Sequence, residues 1–275
     1  MTTITRPALR YHGGKFQIAD WIIKKMPAHK IYVEPFGGGA SIILLKQPAF
    51  LDVYNDLNGM VVNFFSVLRD REQELIRAIE LTPFSRLEFK NAQTMTGNPL
   101  EDARRFYIWA WQGRGRAGVV ERGGWRYMRT DSRGNTTVED WNNIGHLWAI
   151  AARLKKIQIE SLDAMDMIKK YDSPKTLFYV DPPYIQSTRS NRWGTHAYSY
   201  EYTDEQHRQL SDLLQRCAGA VMLSGYDSGL YRDLYKDWNC YRKSVAKDNN
   251  AGAALECLWL NTNCQELTLF NSIQP

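Results

Sequence analysis

Only four cysteines, Cys217, Cys240, Cys257 and Cys264, occur in 275 residues, and no two stand in a C-x-x-C spacing. Small buried hydrophobes in a reducing compartment are therefore expected, not a zinc site or a disulfide framework. No apolar run approaches the roughly 18 residues of a membrane span, and no charged-then-apolar segment opens the chain. The expectation is a cytoplasmic protein with no membrane contact and no metal. The phosphate-cradling pattern G-x-x-x-x-G-K-[ST] is absent and the three glycines at 37–39 are consecutive, not in G-x-G-x-x-G order, which argues against a P-loop or an ordinary dinucleotide site there. An excess of one charge sign is also missing: 35 Lys and Arg against 30 Asp and Glu leave +5, which permits a polyanionic partner without requiring one. With 44% hydrophobic and 24% charged residues, the chain has the make-up of a globular protein, not a disordered one.

Around residues 176–184, T-L-F-Y-V-D-P-P-Y, the rest of the chain can be arranged. A β-branched and aromatic run reads as a buried strand that delivers Asp181, Pro182, Pro183 and Tyr184 to a sheet edge. Proline lacks an N–H and has a fixed φ, so the turn is stiff and its carbonyls stay free to accept. An acid, a free carbonyl and an aromatic ring suit an NH₂ group on a flat heterocycle: Asp181 and the Pro182 carbonyl take its two protons while Tyr184 lies on the ring face. A strand ending in a proline turn with a solvated acid is the plainer alternative.

Upstream, Tyr11-His12-Gly13-Gly14-Lys15 is a glycine turn feeding a helix that ends at Pro27, and Lys15 beside free N–H groups suits a carboxylate or phosphate. The strand 31–33 leads through Glu34, Phe36, Gly37, Gly38 and Gly39 into an apolar helix from Ile42, an arrangement in which missing Cβ atoms let an adenosyl ligand approach the backbone. A second strand, 50–54, ends near Asp56, placed to take ribose hydroxyls or to form an Asx turn that caps the next helix.

About a hundred residues then pass before the next strand, 157–160. They read as helices over 59–69, 71–81, 85–94 and 102–112 and a crossover helix over 138–155, so residues 59–146 form an inserted, mainly helical module. The catalytic domain comprises 1–58 and 147–275. Within the insert, 104–133 carries eight arginines against Glu121 and Asp131, a local excess of +6, interleaved with aromatic side chains. Arginine bonds phosphates or, bidentately, a guanine edge, so Arg114, Arg116, Arg122, Arg126, Arg129 and Arg133 are candidate DNA contacts. Trp125 and Tyr127 are candidate wedges in a glycine-flanked loop or hairpin over 123–135, and a solvated arginine face is the bland alternative. The polar loop 185–202 adds Arg189 and Arg192. Strands over 176–180, 220–224, 240–245 and 255–260 complete a set of seven, the last two an antiparallel hairpin. The fold class is thus α/β: a Rossmann-like, mostly parallel seven-stranded sheet with a helical insertion. Thr203 is the expected N-cap of a helix reaching about Cys217.

Taken in order, Y-H-G-G-K (11–15), V-E-P-F-G-G-G-A-S (33–41), N-D-L-N (55–58), D-P-P-Y (181–184), L-S-G-Y-D-S (223–228) and L-E-C-L-W-L-N (255–261) resemble the Dam-type DNA adenine N6-methyltransferases over nearly the full length. The resemblance implies S-adenosylmethionine as cofactor, held by Tyr11, Lys15, Glu34, Phe36, Gly37, Gly38 and Gly39, with Asp56 on its ribose and Asp163 on its adenine amino group. Asp181 borders cofactor and base alike. Where relatives often carry an aromatic after that acid, this chain has Ala164, and their frequent Asn after Ser224 is Gly225. The implied reaction is methyl transfer to N6 of an adenine flipped out of duplex DNA, because the target atom cannot be reached inside the helix. Cytosine N4 or RNA adenine methylation stays open, since either offers the same planar amine. A DNA-binding protein with a degenerate cofactor site is a third reading.

Overall fold

The computed structural model describes residues 4–115, 117, 123–128, 136–185, 201–246 and 253–264. Seven strands, β1 (Ile31–Glu34), β2 (Leu51–Asn55), β3 (Ile157–Glu160), β4 (Thr176–Val180), β5 (Ala220–Tyr226), β6 (Asn239–Ala246) and β7 (Ala253–Leu260), form one sheet in the order β3-β2-β1-β4-β5-β7-β6. The first five are mutually parallel, and β7 runs antiparallel between β5 and β6. The mostly parallel sheet with its closing hairpin is as the sequence suggests.

Eleven α-helices are seen among the described residues: α1 (Ala19–Ile23), α2 (Ser41–Leu45), α3 (Gly59–Asp70), α4 (Glu72–Glu80), α5 (Arg86–Asn91), α6 (Pro99–Gln112), α7 (Thr137–Asn142), α8 (His146–Leu154), α9 (Ala164–Tyr171), α10 (Asp204–Gln215) and α11 (Gly229–Leu234). Both faces of the sheet's centre are covered, which is why β4 and β5 are buried along nearly their whole length, while the edge strands β3 and β6 carry polar, exposed residues. Tyr32, Tyr54, Leu177, Tyr179 and Met222 join one buried cluster with residues of α3, α4, α6 and α8. Their neighbours Val33, Val53, Phe178, Val180 and Val221 join a second cluster with residues of α9, α10 and α11. The period of two along each strand makes that division.

Local chemistry sets the helix ends. Asn98 accepts from the Leu100 and Glu101 amides with Pro99 at the first helical position of α6, and Thr203 and Gln206 cap α10 reciprocally, the expected N-cap. The single crossover helix expected over 138–155 is instead two. Asn143 leaves the helical region at the end of α7, and α8 restarts after Gly145, while the Trp141 indole donates to the Thr82 carbonyl at 2.9 Å. Periodicity ran across that break because both pieces bury the same side of the chain.

The +6 counted over 104–133 is also smaller in three dimensions. Arg104 pairs with Glu88 and Glu101 at 2.9 and 2.8 Å, and Arg105 with Glu101 at 2.7 Å. Those acids lie one helical turn or one helix away, outside the stretch that was counted.

Candidate active site

Strands β1 and β4 are neighbours, so the turns that leave their carboxyl ends, 35–40 and 181–184, emerge side by side. The chain goes from β1 to β2 on one side and back to β4 on the other, and open parallel sheets hold ligands at such a switch point. A pocket of about 980 Å³, counting its open mouth, lies there. Tyr11, Lys15, Glu34, Phe36, Gly37, Gly38, Gly39, Asp56, Asp163, Asp181 and Pro182 all line it. The sequence therefore named a set of residues that the fold brings together. Tyr179, Leu162, Ala164 and Tyr202 complete the wall. Tyr202 carries no sequence signal, being the end of a polar loop, yet its ring meets Phe36 edge-on at 5.4 Å. Together with Leu162 they supply apolar walls where Ala164 offers little surface.

The three glycines, which line the pocket, also have a reason within the protein itself. A Cβ on Gly37 would lie 2.2 Å from the Tyr54 ring, and one on Gly39 would lie 3.0 Å from the Tyr11 Cβ. The protein's own tyrosines fill the space, and only Gly38, at φ +46°, needs glycine for its backbone as well. Gly225 is likewise confined by Tyr231, 2.7 Å from where its Cβ would be, so no Asn fits.

Asp56 accepts from the Gly38 amide through Oδ2 and from the Asn58 amide through Oδ1, both at 2.8 Å. The Asx turn is present, but the cap of α3 is Asn58, whose side chain accepts from Met60. Each Asp56 oxygen keeps a lone pair for a ligand hydroxyl. Burial raises its carboxyl, and the backbone amides of Asn58, Gly38 and Leu57 pull it back. Asp163 caps α9 by accepting from Met165 at 2.9 Å, and it is exposed at the pocket rim.

At the other end, Asp181 Oδ2 accepts from Lys15 Nζ at 2.7 Å, and Asp181 Oδ1 is buried with no hydrogen-bond partner among the described residues. Burial pushes this carboxyl up, and Lys15 and, more weakly, the Tyr184 hydroxyl oppose the rise. Lys15, itself buried, also donates to the Gly13 carbonyl at 2.7 Å and lies 4.9 Å from the centre of the Tyr184 ring. Its ammonium thus sits between the acid and the ring, the place assigned above to a heterocycle's amine. Tyr184 is buried and does not line the pocket; its hydroxyl donates to Glu256 at 2.5 Å. Tyr179, bonded to Ser224 at 2.8 Å, shows what the serine of L-S-G-Y-D does.

Glu34 is buried at the end of β1 and accepts from the Tyr32 hydroxyl at 2.7 Å. Burial pushes its carboxyl up to about 8, against the pull of Tyr32 and Lys46. A raised acid holds its proton in the folded state after the unfolded chain has released it. Its stabilisation is complete below about pH 4.5 and is lost as pH rises through about 8. Thermal stability is therefore expected to decline from about pH 5 to 8, by at most about 1.4 kcal/mol per pH unit from this group. Melting curves of Glu34→Gln should show a flatter dependence over that window; an identical slope in both proteins would assign the decline to other groups.

Of the candidate DNA contacts, only Arg114 and Arg126 are among the described residues; Arg116, Arg122, Arg129, Arg133, Arg189 and Arg192 lie outside them. Residues 112–114 and 124–126 pair antiparallel, with Arg126 N donating to the Gln112 carbonyl and Arg114 N to the Gly124 carbonyl at 2.8 Å each. Arg126 also pairs with Asp140 at 2.8 Å, an acid it shares with Arg6. Trp125 and Tyr127 stack with centres 6.0 Å apart, the Arg86 guanidinium 4.7 Å from Trp125 and that of Arg114 4.6 Å from Tyr127. Sequence counting missed Arg86 because it stands on α5, upstream of the stretch. The segment also touches the pocket's own wall: His12 N donates to the Ala117 carbonyl and Ala117 N to the Arg10 carbonyl, each at 2.8 Å. No cluster of metal-ligating side chains and no helix long and apolar enough to cross a membrane is found among the described residues.

The strand order, the glycine turn after β1 and the acid-proline turn after β4 define a Rossmann-like methyltransferase. The model of the D12 class N6 adenine-specific DNA methyltransferases matches residues 11–248, and the chain belongs to that family. It is 24% identical to the Type II methyltransferase M1.LlaDCHI of Lactococcus lactis subsp. cremoris over 276 residues, covering 90% of each chain. With the DNA adenine methylase of Salmonella typhi it shares 22% identity over 244 residues, 84% of each. The chain is an adenine-specific DNA methyltransferase, and membership implies a methyl-donor cofactor.

Proposed function

We propose that S-adenosylmethionine is the donor, that duplex DNA is the substrate, and that residues 59–146 are the target-recognition module. The observation that carries this is the single pocket with Asp56 and the glycine turn at one end and Asp181 and Pro182 at the other. It has the size of a cofactor site, and its Asp56 oxygens and apolar Phe36, Leu162 and Tyr202 walls suit a ribose and a purine. Asp163, at the rim, suits the purine amino group. The cofactor supplies an electrophilic methyl group on a sulfonium sulfur.

The chain's own residues make the adenine nitrogen able to take that methyl. Its lone pair is delocalised into the ring, which leaves it a poor nucleophile. Asp181 and the Pro182 carbonyl accept its two hydrogens and favour a more tetrahedral nitrogen, and Asp181 faces the positive charge that develops there. Asp181 Oδ1, buried and without a partner among the described residues, is one acceptor waiting for such a donor. Lys15 holds the other oxygen while anchored on the Gly13 carbonyl. Tyr184 lies beneath the base, whose loss of stacking in the duplex is offset by that ring. Labelled-methyl transfer to duplex DNA, RNA and nucleosides, followed by mapping of the methylated base, tests the reading; transfer to RNA or to cytosine N4 instead would overturn it.

The arginine and aromatic ladder of Arg86, Trp125, Tyr127 and Arg114 is the proposed DNA face. Arg126→Ala or Arg129→Ala is expected to cost ~1–3 kcal/mol at the preferred site and to relax preference at one position, Arg126 first leaving Asp140. Arg114→Ala is expected to weaken all sequences alike and to make log K against log salt shallower by about one unit. Binding to cognate and single-substituted duplexes across a salt series distinguishes the two. No change in any variant would place recognition elsewhere in residues 59–146.

A further inference from the structure

The stretch L-E-C-L-W-L-N has no part in the reaction as derived so far, yet it places an acid in the interior. Glu256, on β7 opposite Tyr226 of β5, is only 3% exposed. Burying a carboxyl is costly unless it is well partnered. Among the described residues it accepts the 2.5 Å bond from the Tyr184 hydroxyl. The Tyr184 ring is held from a second side by Tyr226, edge-on with centres 4.6 Å apart. The face towards the Lys15 ammonium, 4.9 Å from the ring centre, looks across to the Asp181 carboxylate that the same ammonium touches. Prolines 182 and 183 stiffen the backbone of this turn, but they leave the tyrosine's χ1 free. A further restraint on the ring acts at its far end, through the hydroxyl.

We propose that Glu256 is a positioning residue: it fixes the Tyr184 ring through the phenol hydroxyl and so sets the plane and depth at which the flipped base lies against Asp181. The inference rests on the reading that the base enters between Asp181 and Tyr184. A base seated askew still binds but offers its amino group off line, and a misplacement of about 1 Å can slow a reaction on the order of 100-fold. Glu256 does not line the methyl donor's pocket, so its effect should fall on the rate and not on donor affinity.

The test is single-turnover methyl transfer to duplex DNA, with the dissociation constant of S-adenosylmethionine measured alongside by calorimetry. Glu256→Ala is expected to slow transfer on the order of 10- to 100-fold. Glu256→Gln, whose amide oxygen still accepts from the phenol, is expected to stay close to wild type. Tyr184→Phe, which keeps the ring and removes the hydroxyl, should match Glu256→Ala, and the double variant should be no slower than either. Donor affinity should hold within about two-fold throughout. Losses that multiply in the double variant, a Gln variant as slow as the Ala variant, or donor affinity falling in step with rate would each overturn the proposal. Should Glu256→Ala fail to fold, the Gln and Phe variants decide it. A wild-type protein that transfers no methyl group to duplex DNA would remove the functional reading itself, an outcome distinct from these.

Discussion

Asp181→Ala is expected to lower the methyl-transfer rate by on the order of 10²–10³-fold at saturating donor and DNA, with the fold intact. That is the range for removing one preorganised group aimed at charge developing in a transition state. The structure explains why the fold should survive. Asp181 stands at the end of β4, not within it, and its ion-pair partner among the described residues, Lys15, keeps the Gly13 carbonyl at 2.7 Å. Removing the carboxylate also strips the buried Lys15 ammonium of its acid, so some loss of stability is expected within an intact fold. Asp181→Asn refines the result: it retains one carbonyl acceptor but turns an NH₂ towards the substrate amine, and it should be nearly as slow as the Ala variant. Circular dichroism and melting curves give the fold control, and near-normal turnover by a folded Asp181→Ala protein would sink the assignment.

Asp56→Ala is expected to weaken S-adenosylmethionine binding by about 1.5–3 kcal/mol, the value of hydrogen bonds to a charged group, while DNA affinity changes little. At 1.4 kcal/mol per factor of ten, that is about 10- to 150-fold in the dissociation constant. Two contributions add here. The carboxylate loses its ribose partners, and the Gly38 amide, held at 2.8 Å, is released from the turn on which Tyr11 packs. Asp56→Asn separates them, because its single carbonyl can satisfy one amide but not two amides and two hydroxyls. Calorimetry with donor alone, then DNA binding without donor, provides the measurement. An unchanged donor dissociation constant would leave Asp56 a purely structural Asx turn.

Much of the molecule could be read before any coordinates. The central strands were legible as short apolar runs, because a strand buried on both faces admits little else, and the turns between the runs set the count at seven. The pocket's residues were legible because the chemistry of an amine acceptor and of a sugar hydroxyl acceptor demands particular side chains at strand ends. Other features depended on which segments meet. Asn143 to Gly145 breaks a helix that periodicity alone would continue, since both halves face the same core. Glu88 and Glu101 quiet two arginines, and Asp140 ties down a third, across distances no window along the chain can see. Gly37 and Gly39 answer to the tyrosines at 54 and 11. Lys15 and Asp181 lie 166 residues apart in sequence and 2.7 Å apart in space. Sequence alone determined which chemistry each strand end carries, because strand period and side-chain type are local properties. Only the tertiary structure decided which charges cancel, which cavities are filled and which acid, Glu256, stands behind the ring, because those outcomes come from through-space contacts between segments whose order along the chain does not specify their neighbours.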